Sequence, residues 1–118
     1  MASKARQQRI ESELQRVVAE LISREVKDPR VGMVTITAVQ VASDMSVAKV
    51  LFVPFGGKNP SDEVATGLNR AAGFLRGEVG RRLGLRHAPR LEFVFDASIE
   101  NALRLTALID DAVRRDGD

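Results

Sequence analysis

The 118-residue sequence contains no cysteine, no tryptophan and no tyrosine, and it has a single histidine, His87. Without cysteine there is no disulfide, no thiol nucleophile and no cysteine-bound zinc. One histidine cannot build a His-rich metal site or a paired general base. A Gly-x-Ser-x-Gly elbow and a Gly-x-x-x-x-Gly-Lys-[Ser/Thr] phosphate loop are also missing. The sequence therefore predicts a protein that is not an enzyme and that has no metal or cofactor.

Long apolar runs are absent too. The first residues, Met1 to Gln8, are polar and basic, with no apolar segment behind them. We therefore expect no secretion signal and no membrane span, which needs roughly 20 apolar residues. Hydrophobic residues make up 44% of the chain and charged residues 29%, as in a single soluble domain. We expect one cytoplasmic, monomeric domain over 1–113 and a short flexible tail over 114–118.

Hydrophobic periodicity predicts the elements and their order. It indicates a helix from about Lys4 to Val26, followed by strands over Val31–Val41 and Val47–Phe55. A helical stretch follows and reaches Leu83, with Asn59 as its cap and Pro60 as its first helical residue. A strand over Arg90–Phe95 and a last helix capped by Ser98 complete the order. The alternation of polarity swaps near Ala38 and Val39, which indicates a bulge or a strand buried on both faces. Small residues at Ala71, Ala72 and Gly73 predict a bend between two helical segments, and Gly84 a helix end.

This order is that of a type II KH-like domain. The fold class is α+β, α-β-β-α-α-β, with a kinked helix pair on a three-stranded sheet, plus a C-terminal helix. KH domains bind single-stranded RNA through a Gly-x-x-Gly loop, and Gly77-Glu78-Val79-Gly80 matches that pattern. However, Glu78 would repel phosphate and Val79 continues an apolar helical stripe, so we expect this stretch to lie inside a helix.

The segment between Arg70 and Arg90 carries six arginines against one acid, Glu78, a local net charge of +5 in a chain of net charge +2. Four glycines at helical spacing share this segment and fall within an arc of roughly 60° on a helical wheel: Gly73, Gly77, Gly80 and Gly84. A helix face almost without side chains, bordered by guanidinium groups, lets a phosphate backbone come close. A solvated basic surface, or close packing of another element, would explain the same residues.

The predicted RNA contacts are arginines: Arg76 and Arg81 beside the glycine arc, then Arg70, Arg82 and Arg86, and finally Arg90 and Arg30. Two of them have an open alternative. Arg82 falls toward the apolar side of the wheel, where it would only cover the core with its stem. Arg30 either contacts phosphate or pairs with Asp28 at a helix–strand corner.

Aromatic residues are few, and they bear on how RNA would bind. All five phenylalanines lie in segments that need core residues: Phe52, Phe55, Phe74, Phe93 and Phe95. We therefore expect no base-stacking platform of the kind found in single-strand binders. Recognition of the shape and phosphates of folded RNA is favoured instead.

The motifs together resemble the ribosome-binding factor A family over nearly the whole chain. The matching residues are Arg9-Ile10, Asp28-Pro29-Arg30, Thr35-Ile36-Thr37, Val39, Val41, Ser43-Asp44, Ala48, Ala71-Ala72-Gly73-Phe74-Leu75-Arg76, Leu85-Arg86, Pro89, Leu91, Phe93 and Asp96-Ala97-Ser98. Ala71 to Gly73 look like the family's Ala-x-Gly interhelical kink. The chain departs from the pattern at Arg90, where we expect glutamate or lysine, and at Ala102, where glycine is common.

The resemblance implies a non-catalytic assembly factor. It implies binding to the small ribosomal subunit and its rRNA near the decoding region, help in maturing the 5′ end of that rRNA, a role in cold adaptation, and a functional link to an assembly GTPase. The alternative is a KH-like protein-interaction module that docks through its first or its acidic last helix, with an incidental basic face.

Overall fold

The computed structural model describes residues 4–55 and 60–98 together with Leu108 and Ile109. Its elements are α1 (Lys4–Glu25), β1 (Met33–Val41), β2 (Val47–Phe55), α2 (Ser61–Arg70), α3 (Ala72–Leu83) and β3 (Arg90–Phe95). This is the predicted α-β-β-α-α-β order, and the α+β fold class is confirmed. Of the predicted C-terminal helix only Ser98, Leu108 and Ile109 are described, all helical. The tail over 114–118 and the predicted cap Asn59 lie outside the described residues.

Two predicted helix starts are wrong by a residue or two. Pro60 has an extended backbone (φ −61°, ψ 149°) and precedes α2 as its cap residue instead of opening the helix. Ser98 is itself helical, and its N–H donates to Asp96 Oδ1 at 2.9 Å. Asp96 therefore accepts a hydrogen bond at the start of this helix, and Ser98 lies inside the helix instead of before it.

The strands form one sheet in the order β1-β2-β3, with β1 antiparallel and β3 parallel to β2. A parallel neighbour requires a crossover connection, which α2 and α3 provide. Along β2 the buried residues are Ala48, Val50 and Phe52, whereas Lys49 and Phe55 are exposed. This alternation shows that the helices cover one face of the sheet and leave the other open.

The predicted irregularity in β1 is a bulge. The register of β1 on β2 shifts between Ile36 and Ala38, which leaves Thr37 without a partner of its own. Ile36 and Val39 are both buried although they are three positions apart, because the extra residue at the bulge brings both to the covered face.

Side chains from the helices form hydrogen bonds with backbone groups on both edges of the sheet. On the β1 edge, Glu11 of α1 accepts a hydrogen bond from the Val41 N–H at 2.7 Å, and the Gln7 amide donates to the Val41 carbonyl. On the β3 edge, Asn69 of α2 accepts from the Phe93 N–H at 2.9 Å and donates to its carbonyl at 3.1 Å. These contacts occupy backbone groups that would otherwise template pairing with another chain.

The bend predicted at Ala71 to Gly73 separates α2 from α3. Ala71 has φ −84° and ψ −5°, close to the bridge region that interrupts a regular helix. Its N–H reaches both the Gly67 and Leu68 carbonyls, at 3.3 and 3.1 Å. The second segment ends at Gly84 as predicted, because Gly84 takes the left-handed conformation (φ 63°) that glycine adopts most readily.

Gly67 is the glycine that close packing requires. It is buried where α2 passes the corner between α1 and β1. A Cβ at this position would lie 2.8 Å from Val31 Cγ2 and 3.4 Å from the Asp28 carboxyl carbon. Val31 is itself 3% exposed and has little room to move. The helix α2 therefore packs directly against this corner at Gly67.

Candidate nucleic-acid interface

The glycines of α3 form an open surface, as the helical wheel predicts. A Cβ on Gly73 or Gly77 would meet nothing within 4 Å, and one on Gly80 would lie 3.5 Å from Ala88 Cβ. The loop between α3 and β3 rises beside this face and makes a groove of about 500 Å³. We call it the glycine groove; its lining residues are Gly73, Arg76, Gly77, Gly80, Arg81, Leu85, Arg86, His87 and Ala88. The Gly-x-x-Gly match, Gly77 to Gly80, lies inside α3 as expected.

Arg76 holds the two walls of this groove together. Its Nε donates to the Ala88 carbonyl at 2.9 Å, so the side chain bridges α3 and the loop before β3. That contact uses one of the five N–H donors of a guanidinium group. Arg76 also lines a second cavity of about 560 Å³ between α3 and β3, together with Asn69, Ala72, Gly73, Arg90, Leu91 and Glu92. Arg76 is therefore the one predicted contact that lines both cavities.

Arg81 and Arg82 are adjacent in sequence but have different surroundings. Arg81 pairs with Glu78 one turn earlier in α3, and its side chain is 74% exposed. Arg82 pairs with Glu20 of α1 at 3.1 Å, and its side chain is 35% exposed. Arg81 lines the glycine groove, whereas Arg82 connects two helices on another side of α3 and is not among the groove's lining residues.

Arg30 takes the structural alternative that the sequence left open. Its Nε and its backbone N–H both donate to Asp28 Oδ1, at 3.0 and 2.9 Å, and its terminal nitrogen pairs with Oδ2. The side-chain hydrogen bond from Arg30 is the main reason that the pKa of Asp28 falls from 3.8 to about 2. The same partner raises the pKa of Arg30. This arginine therefore holds the corner between α1 and β1, and it does not line the glycine groove.

Of the three remaining predicted contacts, only Arg86 lines the glycine groove. Arg86 is exposed and lines it directly. Arg90 is exposed at the start of β3 and lines the second cavity. Arg70 is exposed in the last turn of α2. The fold thus brings Arg76, Arg81 and Arg86 to one groove.

One expectation about aromatic residues is wrong. Phe52 and Phe93 are buried, but Phe55 and Phe74 are 66% and 52% exposed. Phe55 is the last residue of β2, on the open face of the sheet. Phe74 lies on α3, one turn before Gly77. The helical wheel contained this signal, because Phe74 lies about 140° from the centre of the apolar stripe of α3.

The sequence of this chain matches a known protein family. A family model described as "Ribosome-binding factor A" matches residues 6–109. The chain belongs to the ribosome-binding factor A family. Among curated members, a ribosome-binding factor A of Azoarcus sp. (strain BH72) is 48% identical over 112 residues, covering 95% of this chain and 89% of the relative. One of Thioalkalivibrio sulfidiphilus is 49% identical over 112 residues, covering 95% and 87%.

Solved structures of the ribosome-binding factor A family share the fold. The crystal structure of the factor from Thermus thermophilus superposes with a TM-score of 0.67 at 33% identity, covering 75% of this chain and 93% of that one. A homology model of the T. thermophilus factor, fitted into the cryo-EM map of a 30S complex, gives 0.64 at 32% identity with the same coverage. The solution structure of a putative factor from Thermotoga maritima gives 0.68 at 31% identity, covering 80% and 90%.

Proposed function

We propose that this chain binds the small ribosomal subunit through its rRNA and acts there as a non-catalytic assembly factor. Family membership supports this proposal, as does the related T. thermophilus factor fitted into the map of a 30S complex. In the same proposal the factor assists maturation of the 5′ end of the small-subunit rRNA, supports growth in the cold, depends on an assembly GTPase for its cycle, and works as a cytoplasmic monomer.

The observation that carries the proposal is the glycine groove. Three arginines, Arg76, Arg81 and Arg86, line a helix surface that has no side chains of its own along Gly73 and Gly77. A phosphate can approach such a surface closely enough for charge-assisted hydrogen bonds from guanidinium groups. Glu78 lies on the same helix but pairs with Arg81, so it faces a cation rather than an incoming phosphate.

The test is co-sedimentation of the purified protein with small and large ribosomal subunits across a salt series. Three phosphate contacts predict that affinity falls about 20- to 40-fold between about 50 and 200 mM salt. Binding to the small subunit with that salt dependence supports the proposal. An affinity that hardly changes with salt supports docking through an apolar surface, and it favours the protein-interaction alternative.

Charge reversal locates the contact. The double variant Arg76→Glu, Arg81→Glu is expected to abolish binding to the small subunit and leave the fold intact. Its matched control is Arg16→Glu, Arg24→Glu, which changes the net charge equally on α1, away from the groove. If the control weakens binding as much as the groove variant does, general electrostatics rather than the glycine groove accounts for the affinity.

An RNA cleavage assay tests whether the protein is non-catalytic. Purified protein incubated with precursor small-subunit rRNA is expected to leave the RNA uncut, while cells that lack the factor accumulate unprocessed 5′ ends, most strongly in the cold. Cleavage of the RNA by the protein alone would contradict the proposal.

A further inference from the structure

Phe74 is an exposed aromatic ring that the fold does not use. It is 52% exposed and belongs neither to the buried core nor to the residues packed against it. On the α3 wheel it lies about 100° from Leu75 and about 140° from Val79, both of which are fully buried. A half-exposed phenylalanine gives up much of the stabilisation that burial of its ring would supply. The stability of the fold therefore does not explain why a phenylalanine stands at this position.

Phe74 lies one turn before Gly77 on α3, although it is not among the residues that line the glycine groove. On a helical wheel Phe74 is about 20° from Arg81 and about 60° from Gly77. A Cβ on Gly77 would meet nothing within 4 Å, so the helix surface one turn after Phe74 carries no side chain at that position. Arg70 precedes Phe74 by four residues and Arg81 follows it by seven, and both are exposed.

The surroundings of Phe74 fit a nucleic-acid base better than a protein. Protein-binding patches have an apolar core formed by several side chains. The exposed large apolar residues among those that the structure describes are Met33, Phe55, Phe74, Leu108 and Ile109, and of these only Phe74 belongs to α3. Phe74 is a single exposed ring with exposed arginines four residues before it and seven after it, and the acid between them, Glu78, is paired with Arg81. A ring and cations together are the groups with which a base stacks while its backbone is held electrostatically.

We propose that Phe74 is a stacking platform for an unpaired base of single-stranded RNA whose backbone lies in the glycine groove. The proposal rests on the RNA binding proposed above and specifies its ligand further: the groove takes a single-stranded segment instead of a paired helix, because a base can reach the ring only when it is unstacked. Arg76 and Arg81 then contact phosphates on either side of the glycine surface.

The test uses the full chain and a short oligouridylate carrying one 2-aminopurine base, whose fluorescence changes when it stacks. Phe74→Leu keeps an apolar side chain with good helix propensity and removes the ring. Phe74→Trp keeps a ring. The matched control is Phe55→Leu, which removes a comparably exposed ring from the sheet. Each variant is titrated with RNA at several salt concentrations, and its helix content is compared by circular dichroism.

Phe74→Leu is expected to bind the oligonucleotide about 5- to 100-fold more weakly and to lose the fluorescence change. The salt dependence should stay the same, because no charge is removed. Phe74→Trp and Phe55→Leu are expected to keep both the affinity and the fluorescence change. An unaltered affinity and fluorescence change in Phe74→Leu would overturn the inference.

Two further outcomes separate this inference from the proposed function. If Phe74→Leu loses binding to the small subunit but keeps its affinity for the oligonucleotide, the ring docks on a ribosomal protein and the stacking role is overturned. If the unaltered chain binds the subunit with the expected salt dependence and Phe74→Leu behaves identically in both assays, only the stacking role fails. If the unaltered chain binds neither subunit nor oligonucleotide, both proposals fail together.

Discussion

Replacing Gly77 by alanine should make the protein more stable and a weaker RNA binder at the same time. Gly77 lies in the interior of α3, where a Cβ meets nothing within 4 Å. Alanine therefore gains helix propensity without a steric penalty, and the gain is about 1 kcal/mol. For a domain of this size that corresponds to a rise in Tm of roughly 4 °C.

The loss of binding follows from where the new methyl group points. It would stand in the glycine groove between Arg76 and Arg81, on the surface that a phosphate must approach. If the methyl displaces one charge-assisted hydrogen bond, worth about 1.5 kcal/mol, RNA affinity falls about tenfold. A larger residue in Gly77→Leu should weaken binding further.

Urea unfolding and RNA titration on the same samples test both halves of this prediction. Gly67→Ala is the matched control, because its Cβ would lie 2.8 Å from Val31 Cγ2. Overpacking costs about 1–3 kcal/mol and outweighs or cancels the propensity gain, so this variant should be no more stable than the parent and should bind RNA normally. A Gly77→Ala protein that is less stable than the parent would refute the claim that the helix surface at Gly77 is open. Unchanged RNA affinity in both Gly77→Ala and Gly77→Leu would refute the groove as the path of the phosphates.

Two other changes test the charges of the site and of the corner. Glu78→Gln removes the carboxylate that pairs with Arg81, so RNA affinity should rise while the number of phosphate contacts, and with it the salt dependence, stays the same. Equal or weaker binding would mean that Arg81 does not reach the RNA. Asp28→Asn removes a carboxylate whose pKa Arg30 lowers to about 2. The stabilisation is fully present above the ordinary pKa of 3.8 and is lost as the pH falls through about 2. Urea unfolding should therefore show a less stable variant at neutral pH and a difference that shrinks as the pH falls toward about 2.

Features with a local cause could be predicted from the sequence. The bounds of β2 and β3 agree with the prediction, because turn residues and strand alternation are encoded within a few positions. Gly84 ends α3 because few other residues adopt its left-handed conformation. The bulge in β1 is visible in the sequence as a break in alternation. Each of these needs only neighbours in the sequence.

The partners of the arginines could not be predicted in the same way. Arg82 pairs with Glu20, which lies 62 residues earlier in the chain, and periodicity within α3 does not say which helix lies beside it. Arg30 is different, because its partner Asp28 is two residues away and is one of the two alternatives that the sequence offers. The exposure of Phe74 can be predicted from the wheel, but the small number of aromatic residues suggests, wrongly, that the core needs them all.

The structure reduces the charge that the basic segment can offer to RNA. Sequence counting gives seven candidate arginines. Arg30 and Arg82 hold together elements of the fold through Asp28 and Glu20, and Arg70 and Arg90 are not among the residues that line the glycine groove, which leaves three. When the logarithm of the affinity is plotted against the logarithm of the salt concentration, seven phosphate contacts to a single strand would give a slope of about −5. The three arginines of the glycine groove would give a slope of about −2. The lower value leaves much of the affinity to non-ionic contacts, and the exposed ring of Phe74 on α3 is a candidate for one of them. A slope near −2 combined with a large loss in Phe74→Leu would therefore mean that α3 binds RNA by stacking as much as by charge.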